Sequence, residues 1–97
     1  MKLRNITLDG VVVGSDHDTY IVAEMSGNHN GKLENALDII REAKQCGANA
    51  VKIQTYRPDT ITINHDSKEF VKQDGLWKGR KLFELYEEAH TPWDWHY

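Results

Sequence analysis

The sequence has a single cysteine, no long hydrophobic run and no excess of basic residues. Cys46 cannot form an internal disulfide, which is typical of a reducing compartment and predicts a cytoplasmic protein. No apolar run approaches the roughly 20 residues of a transmembrane helix, and no signal-peptide core follows the N-terminus, so we expect no membrane association. The net charge of −3, with Lys and Arg scattered, argues against a nucleic-acid partner.

The composition that remains is that of a globular protein. Hydrophobic residues make up 39% and charged residues 28% of the chain, which is too apolar for an intrinsically disordered segment. The 97 residues are enough for one small domain with a modest core.

The N-terminal residues have the pattern of a β-hairpin. Two runs of β-forming residues, 6–8 and 11–13, flank Asp9-Gly10. Asp-Gly between two such runs favours a type I′ turn, which needs positive φ at both central residues. We assign residues 1–14 to an N-terminal β-hairpin and residues 15–97 to the rest of the fold.

A strand–helix–strand pattern follows the hairpin. An apolar strand is predicted over 20–24, an amphipathic helix over 32–46 with Gly47 as its left-handed C-terminal residue, and a second strand over 50–55. A helix between two strands predicts a parallel pair and an α/β fold. Parallel strands usually have both faces covered, so Lys52 would point into an interior, where an ammonium group needs an anionic partner. A solvated lysine on a surface strand is the alternative.

Polar residues gather where these two strands end. Ligands in α/β folds bind at the carboxyl ends of parallel strands. The candidate site residues at these ends are Glu24, Asn28, Lys52, Gln54 and Thr55.

Several of these residues also have a purely structural interpretation. Glu24 could simply form a salt bridge with Lys52 across adjacent strands, and Asn28 could cap the following helix. His29, in a polar loop, is more typical of a loop hydrogen-bonder than of a base or ligand. His65 and His90 have no metal-ligand spacing to one another or to Cys46, so we interpret them as solvent-exposed histidines.

The second half of the chain is less regular. Residues 57–79 have no sustained periodicity, although 61–63 could be briefly extended, and a second helix fits 80–90. Thr91 and Pro92 then have the pattern of a new helix start, with Thr91 as N-cap. Because this helix would barely begin before Tyr97, we expect the chain to be the N-terminal piece of a longer protein.

Two motifs resemble one enzyme family. The segments "AEMSGNHNG" and "GANAVKIQTY" resemble the first strand, helix and second strand of the sialic acid synthase family. The later segment "LWKGRKLFELYEEAHTPWDWHY" is most similar to the pseudaminic acid synthase branch of that family. The resemblance covers nearly all of residues 20–97.

The resemblance implies the fold and the reaction. It implies the N-terminal part of a TIM (β/α)8 barrel in a full-length enzyme that is a homodimer. The enzyme would condense phosphoenolpyruvate with an N-acetylated amino sugar, here a 2,4-diacetamido-2,4,6-trideoxy-altrose, and release phosphate. A divalent metal, Mn or Mg, would activate the sugar aldehyde, with ligands well beyond Tyr97, and we expect this chain alone to be inactive.

The resemblance also implies roles for individual residues. Glu24 matches the glutamate near the reacting C2 of phosphoenolpyruvate, Lys52 a contact to phosphoenolpyruvate, and Gln54 a contact to the sugar. An enclosed lysine suits a phosphate and a carboxylate, and a neutral amide suits sugar hydroxyls.

Other functions remain open from the residues. N-acetylneuraminate and legionaminate synthases share these N-terminal motifs. A Schiff-base aldolase with Lys52 as nucleophile is a second enzymatic possibility. A noncatalytic βαβ fragment that serves folding or interaction is a third.

Overall fold

Two short sheets and two helices form the fold of residues 3–97, the part of the chain that the computed structural model describes. The helices and strands are β1 (Ile6–Leu8), β2 (Val11–Val13), β3 (Val22–Glu24), α1 (Leu33–Gln45), β4 (Ala50–Lys52) and α2 (Leu82–Ala89). Single 3₁₀ turns lie at Pro58–Thr60, Lys68–Phe70 and Trp93–His96. The predicted α/β class is confirmed.

The N-terminal hairpin forms with the predicted turn. β1 and β2 pair antiparallel with Leu8 opposite Val11. Asp9 and Gly10 have φ angles of 47° and 81°, the positive values that a type I′ turn requires. Met1 and Lys2, which the predicted range 1–14 includes, lie outside the described residues.

β3, α1 and β4 form the predicted parallel unit. β3 pairs with β4 so that Val22 lies opposite Ala50 and Glu24 opposite Lys52. The N–H of Met25 donates to the Lys52 carbonyl at 3.0 Å and extends the pairing by one bond. The strands are shorter than predicted, because past Lys52 the backbone of Gln54 bonds to Thr91 instead of to β3.

Helix α1 ends where the sequence predicts. The helix contacts β4, and Ala36 is its buried residue. Gly47 has φ 92°, and its N–H donates to the Lys44 carbonyl at 3.0 Å. A residue without Cβ adopts this left-handed conformation at little cost, so Gly47 closes the helix and directs the chain into β4.

The segment between β4 and α2 contains turns rather than strands. The brief extended piece expected over 61–63 is wrong, because the 3₁₀ turn at Pro58–Thr60 continues into it through a bond from the Thr62 N–H to the Pro58 carbonyl. Further along, Val71 bridges Lys81 in antiparallel fashion. A closed loop therefore lies between these two residues.

The predicted N-cap at Thr91 is wrong. Thr91 is buried, and its N–H donates to the Gln54 carbonyl at 2.7 Å, while its Oγ1 accepts from the Gln54 N–H at 3.2 Å. Pro92 takes the N-cap position of the following 3₁₀ turn. The Thr91 hydroxyl bonds to Gln54 instead of capping a helix, because the backbone N–H of Gln54, just past the end of β4, needs an acceptor.

Few apolar side chains are fully buried. Within residues 3–97 the buried apolar side chains are Met25 and Ala36, and Cys46 is exposed. The Cα radius of gyration is 17.5 Å, whereas a compact domain of this length would have about 12–13 Å. No helix in the described part of the chain is long and apolar enough to cross a membrane.

Candidate functional site

Glu24 and Lys52 form a direct ion pair at the carboxyl ends of β3 and β4. Glu24 Oε1 lies 2.6 Å from Lys52 Nζ. The two residues are register partners in a parallel pair, so both side chains leave the sheet on the same side. The sequence predicted this placement, and it also left open the salt bridge that the structure contains.

The predicted enclosure of Lys52 is wrong for this chain. The side chains of Lys52 and Glu24 are 55% and 57% exposed. Within residues 3–97 this sheet has two strands with both edges open, and the side of the sheet that carries the pair is exposed. Lys52 retains N–H donors beyond the one that Glu24 accepts, which leaves it able to bind an anion.

A tight loop connects β3 to α1 and is anchored by a fully buried histidine. His29 Nδ1 accepts from the Gly31 N–H at 2.9 Å, so its Nε2 carries the proton and donates to the Ala89 carbonyl at 3.2 Å. Its ring meets Trp95 edge-on, with centroids 5.0 Å apart. The predicted role of His29 as a loop hydrogen-bonder is confirmed.

The same loop places Asn28 without using it as a helix cap. Its Nδ2 donates to the Met25 carbonyl at 2.9 Å, and α1 begins after Lys32 without a side-chain cap. Asn28 is therefore held by its own loop, and the residue is exposed.

A groove of about 820 Å³ lies between this loop and α2. Asn28 and Gln54, two of the sequence-predicted residues, line it. Its other lining residues are Ser26, Gly27, Asn30, Gly31, Tyr56, Lys72, Trp77, Leu82, Leu85, Tyr86, Glu88 and Ala89. The structure thus brings two of the five predicted residues together here, while Glu24 and Lys52 lie outside the lining.

Thr55 faces a different depression. Together with Arg57 and Trp93 it lines a cavity of about 570 Å³. Its Oγ1 lies 2.7 Å from His96 Nε2. Thr55 therefore does not share a groove with Gln54, although the two residues are adjacent in sequence, because successive side chains of extended chain point to opposite sides.

Tyr56 lines both cavities, although it was not among the candidate site residues predicted from the sequence. Burial raises the pKa of its phenol above the ordinary value, and Tyr86 raises that pKa further. The two rings meet edge-on with centroids 6.0 Å apart. The phenol therefore stays protonated at neutral pH and can donate a hydrogen bond.

Trp77 and Tyr86 were also missed as groove residues. Both come from the second half of the chain, more than 20 residues after Gln54. The one available signal was the pair of turns at Gly75 and Gly79 on either side of Trp77, which marks a tight loop with an aromatic residue at its tip.

Within residues 3–97, no group of three or more His, Cys, Asp and Glu side chains is placed to hold a metal ion. The ligands that the resemblance implies for a divalent metal are expected beyond Tyr97, so that metal stays a prediction.

Comparison with known proteins gives a consistent family. The NeuB family model matches residues 39–97. A pseudaminic acid synthase of Campylobacter jejuni is 54% identical over 82 residues, which are 84% of this chain and 24% of that protein.

Further relatives extend the comparison. A pseudaminic acid synthase of Helicobacter pylori is 45% identical over 76 residues, or 78% of this chain and 22% of that protein. An N,N'-diacetyllegionaminic acid synthase of Legionella pneumophila is 37% identical over 83 residues, which are 79% of this chain and 23% of that protein. The chain spans about a quarter of the length of these curated relatives. The predicted resemblance to the sialic acid synthases is confirmed, and the chain belongs to the NeuB family.

Proposed function

We propose that the protein containing this chain is a nonulosonic acid synthase, and specifically a pseudaminic acid synthase. The relatives named above are synthases of pseudaminic acid and of diacetyllegionaminic acid. The observation that carries the proposal is the carboxylate–ammonium pair of Glu24 and Lys52, at register positions where two parallel strands end.

The proposed reaction joins phosphoenolpyruvate to the aldehyde carbon of 2,4-diacetamido-2,4,6-trideoxy-altrose. C3 of phosphoenolpyruvate forms the new C–C bond, water adds at C2, and the C2–O bond breaks to release phosphate. N-acetylneuraminate or legionaminate synthesis would differ only in the sugar.

The roles of the strand-end residues follow from their charges. The Lys52 ammonium would bind the phosphate or carboxylate of phosphoenolpyruvate with the donors that Glu24 leaves available. An anion bound there would lie beside the Glu24 carboxylate, which would take a proton from water or stabilise cationic character at C2. Gln54 and Asn28 would hydrogen-bond the sugar, and Thr55 would bind substrate from the neighbouring cavity.

The surrounding architecture is also part of the proposal. Residues 15–97 would form the first βαβ portion of a TIM barrel, residues 1–14 a hairpin before it, and the full-length enzyme a cytoplasmic homodimer. The divalent metal, Mn or Mg, would be held by residues beyond Tyr97, and no step assigned to this chain is routed through it.

Phosphate release by the full-length protein tests the proposal. Purified protein is incubated with phosphoenolpyruvate and either the diacetamido altrose or N-acetylmannosamine, in water enriched in ¹⁸O. We expect phosphate release that depends on the diacetamido sugar, with no ¹⁸O in the phosphate, because the C–O bond breaks.

Two results would contradict this function. Phosphate that carries ¹⁸O would indicate cleavage at phosphorus. A borohydride-trapped adduct of a keto acid on Lys52, without phosphate release, would indicate the Schiff-base aldolase.

A further inference from the structure

The groove beside Gln54 combines neutral amides with an apolar wall. Asn28 and Gln54 line one part, whereas Trp77, Tyr86 and Leu85 line another. Its volume of about 820 Å³ is within the range of small-molecule sites. Such a surface suits a ligand that presents both amide groups and C–H faces.

The charged residues at this groove each have a partner of opposite charge. Glu88 Oε2 accepts from Arg80 at 3.1 Å, and Lys72 Nζ lies 3.9 Å from the Asp74 carboxylate. The exposed ion pair of Glu24 and Lys52 lies outside the lining. The groove therefore favours a neutral ligand, whereas an anion is better accommodated at Lys52.

A closed loop presents Trp77 to the groove. The bridge between Val71 and Lys81 closes its base, and the Gly79 N–H donates to the Lys72 carbonyl at 2.8 Å. Gly79 has φ 84°, a value that allows the loop to return to α2 without strain. The loop position of Trp77 is thus set by backbone bonds.

Two neighbouring apolar residues of this loop, Leu76 and Trp77, differ in their position relative to the groove. Leu76 is 89% exposed and does not line the groove, whereas Trp77 lines it and is 52% exposed. The position at the groove therefore distinguishes Trp77 from an ordinary exposed apolar residue.

We propose that this groove binds the acetamido-substituted part of the amino sugar and that Trp77 determines specificity for it. The inference rests on the proposed function, and one relative, the N,N'-diacetyllegionaminic acid synthase, is named for a doubly N-acetylated product. Acetamido groups and a deoxygenated carbon expose methyl and C–H surface, which packs on an indole ring, while their amides pair with Asn28 and Gln54.

The test compares Trp77→Ala, Trp77→Phe and the matched control Leu76→Ala in the full-length protein. For Trp77→Ala we expect the KM for the diacetamido sugar to rise about tenfold, as the loss of one aromatic contact would produce, with an unchanged KM for phosphoenolpyruvate. Trp77→Phe restores most of the affinity, and Leu76→Ala behaves as the parent. Discrimination against N-acetylmannosamine, which has one acetamido group, decreases in Trp77→Ala.

Saturation-transfer NMR with the diacetamido sugar alone gives a readout that is independent of turnover. We expect transfer to the acetamido methyl protons in the parent and in Leu76→Ala, and its loss in Trp77→Ala. Equal transfer in all variants, or an equal rise in both KM values, overturns the assignment of Trp77. If the parent shows methyl transfer that Trp77→Ala lacks but releases no phosphate, the proposed reaction fails while the sugar groove stands.

Discussion

At the scale of single residues, one contact links the fold to the proposed chemistry. Glu24 and Lys52 meet at 2.6 Å because the register of two strands puts them side by side. The predicted parallel pairing of the two strands placed both side chains on the same side of the sheet. Their exposure depends on which other parts of a fold cover that side, and two strands alone do not determine this. The sequence therefore predicted that Glu24 and Lys52 lie together, but it did not determine how exposed they are.

Lys52→Ala tests the residue that we assign to phosphoenolpyruvate. In the full-length enzyme its KM for phosphoenolpyruvate should rise roughly ten- to a hundredfold, since charge-assisted hydrogen bonds to an anion are lost. Steady-state kinetics would measure this change, with the KM for the sugar unaffected. Lys44→Ala, at the exposed C-terminal end of α1, is the control. An unchanged KM for phosphoenolpyruvate would make Lys52 a structural residue.

At the scale of elements, local patterns predicted more than long-range pairing did. The apolar period of α1 and the Asp9-Gly10 turn depend on neighbouring residues, and both formed as expected. The bonds between Thr91 and Gln54 join positions 37 residues apart, so no local period could reveal them. The groove beside Gln54 was missed for the same reason, because its walls come from distant parts of the chain.

Gly27 sets how closely the β3–α1 loop approaches α2. A Cβ at this position would lie 2.9 Å from the Ala89 Cβ and 3.3 Å from its Cα. We expect Gly27→Ala to lower the free energy of unfolding of the full-length protein by about 1–3 kcal/mol, as overpacking does. Chemical denaturation would measure the change.

A double-mutant cycle separates this steric effect from backbone strain. Adding Ala89→Gly should recover part of the loss in Gly27→Ala, because the clashing methyl group is removed. Gly31→Ala is the control: its φ of 71° strains any side chain, yet among the described residues no atom beyond its own chain neighbours lies within 4 Å of its Cβ position. Additive effects of Gly27→Ala and Ala89→Gly would argue against a direct contact.

The loop that presents Trp77 should open in acid. The Lys81 ammonium, hydrogen-bonded to Asp66, lowers the pKa of that carboxyl below its ordinary value. A group with a lowered folded-state pKa stabilises the fold above its unfolded pKa, and this contribution is lost as the pH falls through the lower value. We therefore expect protection of the Lys72 and Gly79 amides from hydrogen exchange, corrected for intrinsic rates, to decrease below pH about 4.

Asp66→Asn identifies the group responsible. It should reduce protection of both amides at pH 7 and weaken the acid dependence, while amides in the middle of α1 remain unaffected. Glu88 also has a lowered pKa, caused by Arg80, so Glu88→Gln is measured in parallel. Full acid dependence in Asp66→Asn would exclude this ion pair as the cause.

At the scale of the whole molecule, few apolar side chains within residues 3–97 are fully buried. Ile6, Leu8 and Val11 on the hairpin are exposed, as are Ile21 and Val22 next to and in β3. A parallel pair of strands with open edges and so much exposed apolar surface cannot offset the conformational entropy that folding costs.

The isolated chain should therefore lack a cooperative fold. We expect its circular dichroism to change gradually on heating, without a defined midpoint, and the chain to bind an apolar dye or to aggregate. A sharp transition together with a monodisperse small oligomer in light scattering would instead support the noncatalytic fragment that the sequence left open.

The left-handed Gly47 and the short link to β4 have a consequence for changes in length. A strand displaced by one position exchanges its two faces, and the ammonium of Lys52 would then lie on the far side of the sheet from Glu24. Side chains on the outer surface of α1 can be replaced freely, because they do not set this alignment. Inserting or deleting a single residue between Gly47 and Ala50 would therefore place Glu24 and Lys52 on opposite sides of the sheet, although both residues would still be present in the chain.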